Sequence, residues 1–465
     1  MQTTQLAPAG LRGLLDQRPA LSLTELERRA SDPDAPIETV LLTLVDPHGR
    51  PKGKRYGVRH FLDSVASSTV EMCGYLMASD GHNSPVPELS YGSWESGFPD
   101  LPVEPDLTTL RPAPADPRAA HLFGRVLTPE GDHLDVDPHT ILTRQIDRLA
   151  QLGYSIKVGL ETEFVLYHGT REQMRRSHYR APRPVFERNL DYSTDAPPRV
   201  QTYLDGLQHA LTECGQPVEA IKLEGAPGQV EVTFPYGDAL RACRNHIRFQ
   251  MAAMRLAERS RMTAAFMAAP ETGVANGLHV HLSLWQNGQP VLAAGANHKV
   301  FDRTLGGLLQ TLPELAPLYA PTDNSYRRYQ HESFAPTSYN WGADNRGCAL
   351  RVVGEGDSQH LEIRLAGADA NPYLVVAAVI AGILEGHSSD SSAPPASGGS
   401  GYDDTAPHVP RTLSQAVRAF RVSRLARAAF GDGVVDHYTH LAQAMHDTQA
   451  HLVSDVDRQL WFTRA

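Results

Sequence analysis

Apolar residues recur along this chain in two rhythms. In LSLTELERRAS and PHTILTRQIDRLAQLGY they return every three or four positions, the spacing of one helix face. In SIKVGLETEFVLY, GQVEVTF, LHVHLSLW and HLEIRL they alternate, which predicts strands with one buried face. ETVLLTLVDPHGRPKGKRYGV alternates on both sides of Pro47–Gly49 and predicts a hairpin turning there. AGADANPYLVVAAVIAGILEG and TLSQAVRAFRVSRLARAAFG predict further helices. Proline and acid density rises from Ser84 to Pro117, which reads as an ordered but irregular connection closing a β-rich N-terminal domain. The pattern is α+β: a 1–36 extension with a short helix, a β-rich domain over 37–120, and a larger domain over 121–465. Residues 387–401, HSSDSSAPPASGGSG, hold too little apolar surface to offset their ordering entropy and read as a flexible surface loop.

The polar residues that interrupt these strands are chemically selective. Glu161 and Glu163 in GLETEF are two apart, so both carboxylates share one strand face. Like charges so placed repel unless a cation lies between them, and Mg2+ or Mn2+ takes carboxylate oxygens. Glu224 and Glu231 bracket the turn-rich GAPGQV. NGLHVHLSLW sets His279, His281 and Ser283 on one face against Leu278, Val280, Leu282 and Leu284 on the other, and HLEIRL does the same with Glu362 and Arg364. Arg328 in NSYRRY and Arg346 and Arg351 in NWGADNRGCALRV supply guanidinium groups, which bind carboxylate and phosphate in a bidentate way. Singly these are solvated acids, core histidines or surface arginines. Together, on successive strands, they describe a polar face lining a cavity.

Composition narrows the classes. With 465 residues, 41% hydrophobic and 21% charged, the chain is long enough for a sizeable core. Its net charge of -10, with basic residues interleaved among acids, argues against a nucleic-acid partner. Four cysteines without CxxC spacing predict neither a zinc ribbon nor a disulfide framework. The first residues lack an apolar signal region and no run has the length of a membrane span, so a soluble cytoplasmic protein is expected, with no membrane partner.

In this order ETEF, EGAPGQVE, NGLHVHLSL, NSYRR, NWGADNR with Arg351, and EIRLAGADANPYL resemble the glutamine synthetase superfamily over residues 37–465. The resemblance implies an N-terminal β-grasp domain, a catalytic domain with a curved antiparallel sheet and surrounding helices, and active sites shared between subunits of a homo-oligomer, a dodecamer or related ring. It implies ATP as co-substrate and two to three Mg2+ or Mn2+ ions per site. Glu163, Glu224 and Glu231 would hold the metal nearest glutamate, and Glu161, His279 and Glu362 the metal bridging the ATP phosphates. Arg328 and Arg364, with Gly277, would bind glutamate. Arg346, Arg351 and Glu231 would serve catalysis, and His281, Ser283 and Arg351 would lie along the nucleotide. No Walker-type loop is present, consistent with a family that holds ATP through metals and arginines.

Three departures shift the expected substrate. Glutamine synthetases carry a glutamate before the Ala-Pro of the flap, where this chain has Phe334 in SFAPT, and an aromatic ring cannot accept a proton from ammonium. Their Asp-Gly-Ser-Ser segment is replaced by EMCGYLMASDGHNS, leaving open whether Asp80 stands in. Val274 and Ala275 occupy the places of an Asn-Gly that touches glutamate. The SFAPT, WGADNRGCALRVVGEG and GADANPYL segments are similar instead to the γ-glutamyl-amine ligase branch, whose members make γ-glutamylpolyamines and γ-glutamylethanolamide. The expected reaction joins the glutamate γ-carboxylate to a small amine or polyamine through γ-glutamyl phosphate. An ammonia-using glutamine synthetase, a catalytically idle scaffold or sensor, and a metal-dependent hydrolase are the competing readings.

Overall fold

The computed structural model describes residues 20–402 and 405–464. Expectations about the first nineteen residues lie outside the described residues. The short N-terminal helix is Leu23–Ala30, which buries Leu26 and is capped by Ser22 accepting from Glu25 N. Strands β1 (Thr39–Val45), β2 (Pro51–Gly57), β3 (Val70–Cys73), β4 (Asp100–Ala113) and β5 (Asp116–Val126) form a sheet in the order β2-β1-β5-β4-β3. The expected hairpin is the antiparallel β1–β2 pair, while β1 runs parallel to β5, giving the mixed sheet of a β-grasp unit.

Two expectations about this unit change. Residues 84–117 are not irregular throughout, because Asp100–Ala113 is a strand that buries Leu101, Val103 and Leu110. Its prolines mask the alternation; Pro105 and Pro112 lie beyond the stretch paired with β3, where a missing donor on that side costs little. β5 also runs through residue 120, so the N-terminal sheet extends to Val126.

A second sheet of ten strands holds β6 (Ser155–His168), β7 (Ala220–Leu223), β8 (Gln229–Thr233), β9 (Gly237–Asp238), β10 (Met262–Ala265), β11 (Leu278–Gln286), β12 (Gln289–Pro290), β13 (Trp341–Ala343), β14 (Leu350–Val353) and β15 (His360–Ile363). Its main path is β13-β14-β15-β11-β6-β8-β7. Among the described residues every pairing in it is antiparallel except β13 with β14, which is parallel. The helix Pro138–Gln151 appears where the periodicity predicts it, capped by Asp137. The apolar helix begins at Pro372 rather than in AGADA and runs to Ser388, buried along nearly its whole length, which explains its continuous apolar sequence. Asn371 caps it and also donates to the carbonyls of Asp46 and Pro47 at 3.1 and 3.2 Å, tying the two sheets' units together. The helix expected over TLSQAVRAFRVSRLARAAFG divides at Ser423, which caps its second half.

The segment expected to be a flexible loop is not a free excursion. His387 and Ser388 finish the helix, and Ala393, Pro394, Ser397, Gly399 and Gly401 all hydrogen-bond to structured neighbours. Its small residues let the backbone lie close to other chain, and side chains elsewhere satisfy its carbonyls. Among the described residues no helix is long and apolar enough to cross a membrane.

Candidate active site

The registers of five strands place the singled-out residues on one face. Residues directly opposite in a ladder share a face, as do residues two apart along a strand. On β6, Glu161 stands opposite His279 of β11, and Glu163 stands opposite Glu231 of β8. His281 of β11 stands opposite Glu362 of β15, which stands opposite Arg351 of β14. Glu224 directly follows β7 and its N–H donates to Gln229 O at 3.0 Å, so the turn returns the chain to the same edge. The opposite face of β11 buries Leu278, Val280, Leu282 and Leu284 in the core. Hydrophobic burial of one face therefore aims the polar face at the site.

Two donor groups result. Glu161, His279 and Glu362 offer ligand atoms within 4.8 Å of one another, and so do Glu163, Glu224 and Glu231. His279 Nδ1 is 2.7 Å from Glu161 Oε1 and 3.5 Å from Glu362 Oε1. Glu163 Oε2 accepts from Gly277 N at 2.7 Å, which orients it towards Glu231. Burial and the charges of Glu161, Glu163 and Glu224 push the Glu231 carboxyl up to about 10. Burial also opposes the charge on Glu161, but the hydrogen bond with His279 and the nearby charge of His281, 3.7 Å away, outweigh it and hold that carboxyl well below the usual range. Glu362 is likewise held at about 2 against burial, by Arg364, His279 and His281. Such crowding of oxygen donors, with one imidazole, is the donor chemistry that Mg2+ and Mn2+ use.

The arginines converge on the same acids. Arg351 Nη1 donates to Glu362 Oε2 at 2.9 Å, and its Nε to Asp344 Oδ1 at 3.1 Å. Arg364 pairs with Glu362, and donates from Nε to Arg346 O and from Nη2 to Phe334 O, both at 3.2 Å. Arg328 is buried, donating to the carbonyls of Arg364 and Leu365 at 3.1 and 3.0 Å, with Nη2 3.4 Å from His279 Nε2. A Cβ on Gly277 would come within 2.5 Å of His279 Nε2 and 2.8 Å of Arg328 Nη2, so only glycine lets these two groups meet.

Other singled-out residues sit less centrally. Arg346 has an exposed side chain and meets the site through its carbonyl. Ser283 Oγ accepts from Trp285 Nε1 at 2.9 Å, and His281 Nδ1 lies 3.0 Å from His360 Nε2. Phe334 is 68% exposed, with a left-handed φ of 59°. Asp80 spends Oδ1 on its own loop, accepting from His82 N and Ser84 N at 2.9 and 2.8 Å.

Four residues escaped the sequence reading. Lys222 of β7 stands opposite Glu231, its Nζ 2.5 Å from Glu224 Oε1 and 4.3 Å from the Tyr192 ring centroid. Gln229 Nε2 donates to Asn276 Oδ1 at 2.9 Å and Ala275 O at 2.7 Å, and Asn276 Nδ2 to Met267 O at 2.8 Å, which locks the chain leading to Gly277. Asp344 holds Arg351. Gln229, Asn276 and Asp344 lie inside the GAPGQV, NGLH and NWGADNR motifs, which was the available signal; Lys222 had none.

Comparison with known proteins places this geometry. Residues 135–461 match the family described as glutamine synthetase, catalytic domain. A γ-glutamylethanolamide synthetase of Streptomyces coelicolor is 38% identical over 451 residues, 97% of this chain and 97% of the relative. A glutamate–isopropylamine ligase of a Pseudomonas species is 31% identical over 417 residues, 87% of this chain and 90% of the relative. A γ-glutamylputrescine synthetase of Escherichia coli is 34% identical over 375 residues, 76% of each chain. The solved ADP complex of GmaS superposes with a TM-score of 0.81 over 95% of this chain and 99% of that one, at 23% identity, a likeness of fold. With two thirds of its length matched by that catalytic domain and its donor groups on one sheet face, the chain belongs to the glutamine synthetase family.

Proposed function

We propose that this protein is an ATP-dependent carboxylate–amine ligase that converts glutamate and a small amine or polyamine into a γ-glutamyl amide, ADP and phosphate. The observation that carries the reading is the pair of three-residue donor groups beside Arg328, Arg351 and Arg364, in a chain whose relatives named above join glutamate to ethanolamine, isopropylamine or putrescine. In this reading Glu163, Glu224 and Glu231 hold one Mg2+ or Mn2+, and Glu161, His279 and Glu362 hold another, within a complement of two to three ions. When bound, these ions neutralise phosphate charge so that two anions can approach.

The chain's own groups do the rest. Arg328 and Arg364, beside Gly277, fix the carboxylates of glutamate. Arg351, anchored by Glu362 and Asp344, and Arg346 face the transferred phosphoryl group, with Glu231 beside the reacting carboxylate. His281 and Ser283 border the nucleotide. The γ-carboxylate oxygen takes the γ-phosphoryl group, ADP leaves, and an uncharged amine attacks the acyl carbon of γ-glutamyl phosphate. Loss of the amine's proton and expulsion of phosphate complete the amide.

Phe334 sets the nucleophile. Ammonia at neutral pH is mostly ammonium, and losing one electrostatic group that captures it costs about 3 kcal/mol, or roughly 10²-fold. An aromatic wall suits the carbon chain of an amine instead. Phe334→Glu is expected to move the ratio of kcat/KM for amine over ammonium towards ammonium by roughly tenfold or more. An unchanged ratio in an active variant would remove Phe334 from the account.

We also place the active form in the cytoplasm as a homo-oligomeric ring, a dodecamer or related assembly, with sites shared between subunits. The exposed apolar residues Leu452, Val453, Val456, Leu460, Trp461 and Phe462 support this, since a monomer would leave them in water. Sedimentation of the full chain should show a ring-sized particle; a monomer at micromolar concentration would contradict it.

A further inference from the structure

The stretch 389–402 crosses the segment that carries Arg346 and Arg351, and its attachments are specific. At one end Ser391 Oγ donates to Gln310 Oε1 at 2.9 Å and Ala393 N to Asp302 Oδ1 at 3.0 Å, both on the helix His298–Thr311. It then meets the arginine segment four times. Trp341 Nε1 donates to Pro394 O at 2.7 Å, and Ser397 N to Trp341 O at 2.8 Å. Asn345 Nδ2 donates to Gly399 O, and Asn340 Nδ2 to Gly401 O, both at 2.8 Å. Each asparagine turns its oxygen the other way: Asn345 Oδ1 accepts from Gly347 N at 3.0 Å, and Asn340 Oδ1 from Ala349 N at 3.2 Å. Gly401 packs on Gly347, where a Cβ would lie 2.6 Å from the Gly347 carbonyl carbon and 2.9 Å from Cys348 N. Tyr402 ends the stretch with its ring 5.1 Å from that of His331, in the flap that carries Phe334.

We infer that residues 389–402 are a strap that positions the arginine segment, and that Asn340, Trp341, Asn345 and Gly401 are positioning residues acting through Arg346 and Arg351. The segment needs such support. Its strand β13 has three residues and pairs only with β14 among the described residues, and Asp344, which anchors Arg351, is held at a left-handed φ of 48°. Arg346 presents its carbonyl to Arg364 at 3.2 Å, so a shift of the segment disturbs both the phosphoryl side and the glutamate side. A misplacement of about 1 Å at reacting groups costs roughly 10²-fold. The donor groups for metal stand on β6, β8, β11 and β15 and beside β7; the strap's hydrogen bonds go to none of them, and Glu362 meets the strapped segment through Arg351. The inference rests on the proposed role of the two arginines.

Gly401→Ala tests it, with Gly398→Ala as control, because a Cβ at Gly398 meets nothing within 4 Å. Gly401→Ala should lower kcat by roughly 10²-fold and weaken a non-hydrolysable ATP analogue measured by calorimetry with Mg2+, while Mn2+ affinity without nucleotide falls by less, because the strap reaches only Glu362 among the donors, and only through Arg351. Gly398→Ala should match the unmodified protein in each. Trp341→Phe, which keeps the ring and removes one donor, should move the same quantities in the same direction, by less, and stands in if Gly401→Ala fails to fold. Unmodified kcat and analogue affinity in both Gly401→Ala and Trp341→Phe would overturn the strap, as would a loss of Mn2+ affinity equal to the loss of analogue affinity. Should the unmodified protein turn over no nitrogen nucleophile, the functional reading fails, and the analogue affinities still decide the strap.

Discussion

Glu163→Gln and His279→Gln are each expected to reduce ATP turnover by about 10³-fold or more, with no loss of thermal stability. Each removes one ligand from a separate donor group, Glu163 from the group with Glu224 and Glu231, His279 from the group with Glu161 and Glu362. Neutralising phosphate charge is worth several kcal/mol in phosphoryl transfer, and about 1.4 kcal/mol corresponds to each tenfold. The fold should tolerate Glu163→Gln because the amide oxygen can still accept from Gly277 N, now 2.7 Å from Glu163 Oε2. Removing one negative charge beside Glu231 also relieves the repulsion that raises that carboxyl. The check is phosphate release alongside a thermal melt. Full activity in both variants would end the assignment of these groups to metal.

Arg351→Ala is expected to cost about 10³-fold in kcat at saturating ATP, by analogy with the removal of a guanidinium that stabilises a transferring phosphoryl group. Arg351 is held from two sides, by buried Glu362 and by Asp344, so its position is set before substrate arrives. Glu362 keeps its ion pair with Arg364 in the variant, which limits the structural damage. Arg351→Lys should recover little, because an ammonium cannot keep the fork that bridges Glu362 and Asp344. A drop of less than tenfold in Arg351→Ala would show that the charge is spent on structure rather than on phosphate.

Where one face of a strand is buried and the other lines the site, the alternation exposes both at once. This is why β6, β11 and β15, with Glu161, Glu163, His279, His281 and Glu362, were legible in the amino-acid sequence. Their grouping into two sets comes from family resemblance; ligand atoms within 4.8 Å of one another group the same residues, whereas register alone sets Glu362 opposite His281. Register itself is invisible in one sequence, so Lys222, which meets Glu231 only because β7 pairs with β8, was missed. The proline content of β4 hides the alternation of Leu101 and Val103 that marks it as a strand. Composition alone makes the strap look like a loose loop, because it reports what a segment can bury and says nothing of the Trp341, Asn340 and Asn345 side chains that satisfy its carbonyls. The helix expected from AGADA starts later because Asn371 is needed as a cap and as a bridge to the N-terminal unit.

Phosphate release from ATP and glutamate, measured with Mg2+ across ammonium, ethanolamine, putrescine, spermidine and methylamine, with the product identified by mass, tests the central claim most directly. The account predicts glutamate-dependent release with at least one primary amine, a γ-glutamyl amide as product, and slow or undetectable turnover of ammonium. Preference for ammonium over every amine, with glutamine as the product, would contradict it.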